Sequence, residues 1–114
     1  MEQFSTRQNK ISRLIQKELA GIFLFELKSE FSGLIISVTE VRVTSDLSLA
    51  RCYLSIYPPD KSNQTLMHIR QMIRSIRGIL GKKVAKQIRI IPELEFFIDD
   101  SLNYLEKIDR LLKE

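Results

Sequence analysis

A chain of 114 residues with 44% hydrophobic and 28% charged content has material for one core, so one domain spanning residues 1–114 is expected and a catalytic cleft between domains is not. Its net charge of +4 hides segregation: residues 1–60 sum to zero, residues 92–114 sum to minus four, and Lys61 to Ile91 holds eight basic side chains with no Asp or Glu. One cysteine cannot form an internal disulfide, one histidine leaves almost nothing for a His/Cys metal cluster, and no apolar run approaches the roughly 20 residues of a membrane span, so a cytosolic, membrane-free setting without metal or cofactor is expected. Nothing at the N-terminus reads as a signal peptide.

From Ser5 to about Lys28, Ile11, Leu14, Ile15, Leu19, Ile22 and Phe23 recur at helical spacing while Lys10, Arg13 and Lys17 fall opposite, which predicts an amphipathic helix with a basic outer stripe. Ser29 to Gly33 has turn composition and should stop it. Leu34–Thr44 and Leu49–Tyr57, rich in Ile, Val and Tyr and separated by Ser45-Asp46-Leu47-Ser48, predict an antiparallel strand pair. Ala50, Cys52, Leu54 and Ile56 share one face of the second strand, placing Cys52 on the core side. In the first strand Leu34, Ile36 and Val38 have one parity and Val41 and Val43 the other, so a bulge is expected near Thr39-Glu40.

Pro58-Pro59 should end the second strand, with Asp60 or Ser62 capping the helix that follows. That helix is the basic block: Leu66, Ile69, Met72, Ile73, Ile76 and Leu80 form its apolar stripe, and Arg70, Arg74 and Arg77 line up beside it as a ridge. Glycine costs about 1 kcal/mol relative to alanine inside a helix, so a kink is expected between Ser75 and Gly81, with helix resuming through Lys82–Gln87. Pro92 introduces a third strand at Leu94–Asp99, and Leu102, Leu105, Ile108 and Leu111 or Leu112 predict a short amphipathic helix at the end.

Searching this order for chemistry returns little. There is no Gly-x-Ser-x-Gly elbow, and Gly81-Lys82-Lys83 lacks the earlier glycine and the hydroxyl of a nucleotide-binding loop. Asp99 and Asp100 are adjacent on a strand and point apart, which reads as a strand-ending turn, and His68 reads as a partly exposed surface residue. Gly78-Ile79-Leu80-Gly81 matches the Gly-x-x-Gly loop with which KH domains clamp a nucleic-acid backbone, but the apolar central pair fits a helix interior better.

A positive block of this kind suits a polyanion, although Lys and Arg also populate any solvated helix face. Lys61 to Ile91 contains no Phe, Tyr or Trp, so base stacking is not available from it. Contacts should go to phosphates, with affinity falling steeply in salt and recognition following the shape of a folded RNA.

Three segments carry a family resemblance: Ile11 to Ile22 with Lys17-Glu18-Leu19-Ala20, then Val41 to Tyr53 around Asp46-Leu47-Ser48-Leu49-Ala50, and Ile90 to Ser101 with Pro92-Glu93-Leu94-Glu95-Phe96. On these the chain resembles the bacterial ribosome-binding factor A family over most of its length. The resemblance implies an α+β, type II KH-like fold, with the order helix, strand, strand, helix, kink, helix, strand and a short terminal helix. It further implies a non-enzymatic monomer that binds the free small (30S) ribosomal subunit near the 5′ end of its 16S rRNA and assists late rRNA maturation. Against the usual family pattern, Ser29-Glu30 stands in place of an Asp-Pro turn, Arg74-Ser75-Ile76 stands where the family has an Ala-x-Gly kink, and the interval from Arg77 to Pro92 is slightly long.

The residues expected to bind RNA are Arg70, Arg74, Arg77, Lys82, Lys83, Lys86 and Arg89, extended by Lys10, Arg13 and Lys17 if the first helix lies nearby. Two other readings compete. In one, the basic block meets an acidic protein partner; in the other, the first helix lies on a membrane, which requires Leu14, Leu19 and Phe23 to be exposed.

Overall fold

A computed structural model describes residues 4–99. Helix α1 (Thr6–Gly21) begins at a capping box: the Ser5 hydroxyl accepts from the Gln8 N–H at 3.1 Å, and the Ser5 N–H donates to the Gln8 side chain at 2.8 Å. The Gln8 amide then donates to the Val43 carbonyl at 2.9 Å, fastening the buried start of the helix to the far end of strand β1 (Ile35–Val43). A widened π turn (Ile22–Glu26) follows, closed by the Leu27 N–H on the Ile22 carbonyl at 2.9 Å. It buries Ile22, Phe23 and Leu27 together and leaves Leu24 and Phe25 outside. Gly33 then adopts a φ of 81°, a left-handed value that suits glycine, and the chain enters β1.

Strands β1 and β2 (Leu49–Tyr57) pair antiparallel with a register shift between Val38 and Glu40, the bulge that the parity change required. Such a bulge leaves carbonyls off the ladder, and the Gln16 side chain of α1 donates to those of Val38 and Thr39 at 3.0 and 3.2 Å. The connecting turn is built on Asp46, whose carboxylate accepts from the Thr44 hydroxyl and from the Ser48 N–H and hydroxyl. These bonds hold its pKa below the usual carboxylate value. Leu47 sits at the tip with a φ of 62°.

Strand β3 (Glu93–Ile98) pairs parallel with β2, giving the sheet order β1-β2-β3. Parallel pairing needs a crossover, and α2 (Ser62–Gln71) and α3 (Ile73–Val84) supply it on the same face of the sheet as α1. Ile15, Leu19, Ile22, Val43, Ala50, Cys52, Leu54, Ile69, Ile76, Leu80, Val84 and Phe96 close the core between the layers. Burial pushes the Cys52 thiol up to about 12. Leu19 and Phe23 lie within this core, which removes the face that a membrane-bound first helix needed.

Two expectations are corrected. The helical break falls at Met72 (φ −99°, ψ 8°), not between Ser75 and Gly81, and lies two residues ahead of Arg74-Ser75-Ile76. Ser75, Gly78 and Gly81 are all inside α3, which runs without interruption to Val84. Packing explains this: Ile76, Leu80 and Val84, four residues apart, are each fully buried, and a kink at Gly78 would take two of them off the core. The Gly78-Ile79-Leu80-Gly81 segment is accordingly helix interior. The second correction concerns the start of α2, which has no side-chain cap from Asp60 or Ser62. The chain enters instead through a 3-10 turn, Pro59–Lys61, with the Lys61 N–H on the Pro58 carbonyl at 3.1 Å. The terminal helix expected from Leu102 lies outside the described residues.

Candidate nucleic-acid interface

Among the described residues strand β3 ends the sheet, so one side of its backbone has no neighbouring strand there to pair with. Two of the three ridge arginines serve that edge. Arg70 donates from Nε and Nη2 to the Phe96 carbonyl at 3.3 and 2.8 Å, with its guanidinium 5.9 Å from the Phe97 ring centroid. Arg77 donates from Nε to the Pro92 carbonyl at 3.0 Å and from Nη2 to the Ile91 carbonyl at 2.6 Å, and stands 3.7 Å from a Glu93 carboxylate oxygen. The ridge expected on one continuous helix is divided by the break at Met72, with Arg70 on α2 and Arg74 and Arg77 on α3, and its outer members hold the strand. Carbonyls do not neutralise a guanidinium, so Arg70 still contributes to the positive field, whereas Glu93 offsets part of the charge of Arg77.

Arg74 lies between them, exposed and without a partner among the described residues. Its neighbours four and eight residues along α3 are Gly78 and Lys82, and Lys86 follows four further on, in the turn just past the helix end. Lys82 and Lys86 are likewise exposed and without a partner among the described residues. In the middle of this row Gly78 is exposed, and a Cβ added to it would meet nothing within 4 Å. No neighbouring atom requires glycine there, and the residue destabilises the helix by about 1 kcal/mol relative to alanine. What it provides is a flat interval of helix between two cations, where another backbone can approach closely. Gly81 differs, since a Cβ there would touch Ile91 at 3.6 Å in ordinary contact.

The other expected residues divide. Lys83 does not join the row: its ammonium lies 2.5 Å from a Glu26 carboxylate oxygen and ties α3 to the π turn. That hydrogen bond holds the Glu26 carboxyl below its usual pKa and raises that of Lys83. Lys10, Arg13 and Lys17 are exposed on the outer stripe of α1, which packs beside α3. Arg89, in the segment joining α3 to β3, lines a groove with Lys10 and Arg7 at the opposite end of α3 from Arg74. His68 is a half-buried surface residue, 3.4 Å from a Glu30 carboxylate oxygen and tilted 54° against the Phe31 ring at 4.9 Å between centroids. Asp99 extends the strand pairing by one bond, its N–H on the Leu54 carbonyl at 2.8 Å, while its carboxylate accepts from the Thr39 hydroxyl.

Gly78 is absent from the RNA-binding residues expected from sequence, where it counted as a helix breaker and as the first glycine of a Gly-x-x-Gly match that fits a helix interior better. Its spacing of four from both Arg74 and Lys82 was the available signal. Arg7 is also absent from them, although it lies three residues before Lys10 on the same helix face.

Among the described residues, three α-helices on one face of a three-stranded sheet, with the third strand reached through a broken helix pair, define an α+β fold of the type II KH-like class. The profile of the ribosome-binding factor A family matches residues 7–112, and the chain belongs to that family. It is 49% identical over 109 residues to ribosome-binding factor A of Flavobacterium johnsoniae, covering 95% of this chain and 84% of the relative. Among solved structures, the crystal structure of ribosome-binding factor A from Thermus thermophilus superposes with a TM-score of 0.64 at 20% identity, covering 80% of this chain and 94% of that one. A Thermus thermophilus ribosome-binding factor A homology model fitted into a cryo-EM map of a 30S complex superposes at 0.58 with 18% identity, covering 86% of this chain and 97% of that one.

Proposed function

We propose that this chain is a non-enzymatic assembly factor that binds the free small (30S) ribosomal subunit through phosphates of its 16S rRNA and assists late rRNA maturation, acting as a monomer in the cytoplasm. The observation that carries the reading is the row Arg74, Gly78, Lys82, Lys86: cations without partners among the described residues flank a glycine with open space above it, on a helix face without aromatics. Such a row grips a sugar-phosphate backbone by charge and close approach and does not read base edges. Membership of a family named for ribosome binding, and the use of a relative in interpreting a 30S complex, support the same partner.

The test is co-sedimentation with purified small subunits of the protein carrying Arg74→Glu, Lys82→Glu and Lys86→Glu together. All three side chains are exposed, so the variant should fold normally and remain in the supernatant. Retention on the subunit at the wild-type level would overturn the assignment.

A further inference from the structure

A groove of about 880 Å³ lies at the far end of α3 from Arg74, where the start of α1, the β1-β2 turn and the segment after α3 meet. Its lining is of two kinds. Ile11, Leu47, Ile88 and Ile90 give it an aliphatic surface, and Ile90 is 72% exposed. Arg7, Lys10 and Arg89 are the cations, exposed and without partners among the described residues. The one carboxylate among the described lining residues, Asp46, is bonded within its own loop to Thr44 and Ser48 and forms no ion pair with these cations, so the lining keeps a net charge of plus two. Leu47, held at a left-handed φ of 62°, is one of the aliphatic walls. A non-glycine residue in that region stores strain, which the three bonds to Asp46 stabilise.

We propose that this groove receives a single-stranded RNA segment, one unstacked base lying on the aliphatic surface while Arg7, Lys10 and Arg89 bind the flanking phosphates. The inference rests on the rRNA-binding reading above and assigns a second contact of different kind. A duplex presents only phosphate and ribose to such a groove and would leave Ile90 facing water, whereas an unstacked base covers it. Guanidinium planes also serve as stacking partners for bases, and Arg7 and Arg89 are placed to do so where aromatics are absent. The volume is that of a site for a small molecule of nucleotide size.

The test compares the wild-type chain with the triple variant Arg7→Ala, Lys10→Ala, Arg89→Ala and the single variant Ile90→Asp, using a fluorescent 12-nucleotide oligouridylate and an RNA hairpin of equal charge. All four side chains are exposed, and circular dichroism checks that the fold is retained. The triple variant should bind oligouridylate about tenfold more weakly and the hairpin less than about threefold more weakly, with Ile90→Asp showing the same preference. Equal losses on both probes, unchanged oligouridylate binding, or no oligouridylate binding by the wild type would each overturn the proposal. Displacement of oligouridylate by a 12-residue polyglutamate at similar concentration would also overturn it, in favour of an acidic peptide. The rRNA reading is tested separately, by whether the Arg74, Lys82 and Lys86 reversals lose subunit binding.

Discussion

Replacing Gly78 with alanine and with glutamine separates what this residue costs the fold from what it gives the surface. The site lies within α3, is exposed, and has open space for 4 Å around the position a Cβ would take, so the added methyl group meets no steric penalty. The helix should gain the difference in propensity, about 0.7–1 kcal/mol for alanine and slightly less for glutamine. For a chain of this size that raises Tm by roughly 4 °C, measured by circular dichroism. Binding should move the other way. Alanine adds one methyl group between Arg74 and Lys82 and should weaken small-subunit binding only about twofold, whereas the longer glutamine should hold an approaching backbone off the helix and cost about tenfold, or about 1.4 kcal/mol. Glutamine carries no charge, so this loss cannot come from the field. A variant that is stabilised and binds at full strength would refute the close-approach reasoning, and a destabilised Gly78→Ala would refute the description of the site.

Three further outcomes follow from the contacts. Arg77→Ala removes two charge-assisted bonds to the Ile91 and Pro92 carbonyls; because the side chain is 36% exposed and water can replace it, the expected loss is about 1–2 kcal/mol in urea unfolding, and Arg77→Lys should recover only part since one ammonium cannot reproduce the fork. An unchanged unfolding midpoint would show the clasp to be idle. Lys82→Ala should lower the slope of log K against log salt by about 1, while Lys83→Ala, already paired with Glu26, should leave that slope nearly unchanged. Cys52 should resist thiol reagents at pH 8 until the chain unfolds; because burial raises its pKa from 9.0 to about 12, its contribution to stability is fully present below pH 9 and is lost between pH 9 and 12, as the unfolded thiol ionises first.

Element types were legible wherever one periodicity governed a segment. The parity change from Val38 to Val41 located the bulge, and the alternation in β2 placed Cys52 in the core, because a pleated strand has only two faces. The helix break was misplaced because propensity marks where a helix is weak, while the buried run Ile76, Leu80, Val84 decides where it can bend. Of the basic residues, the block itself was visible, but its division was not. The bonds that fix Arg70 and Arg77 run to backbone carbonyls of Ile91, Pro92 and Phe96, which no side-chain pattern encodes, and Glu26 meets Lys83 only after the π turn is brought against α3. Arg74, Lys82 and Lys86 stand apart from Arg70, Arg77 and Lys83 because nothing among the described residues occupies them.

Whether the row Arg74, Gly78, Lys82, Lys86 touches rRNA is open to direct measurement. Wild-type protein is crosslinked to purified small subunits with ultraviolet light, then digested with nuclease and protease, and the modified peptides are identified by mass spectrometry. Nucleotide adducts are expected on peptides spanning residues 74–86. Adducts confined to other surfaces, with this stretch linked only to ribosomal proteins, would contradict the assignment.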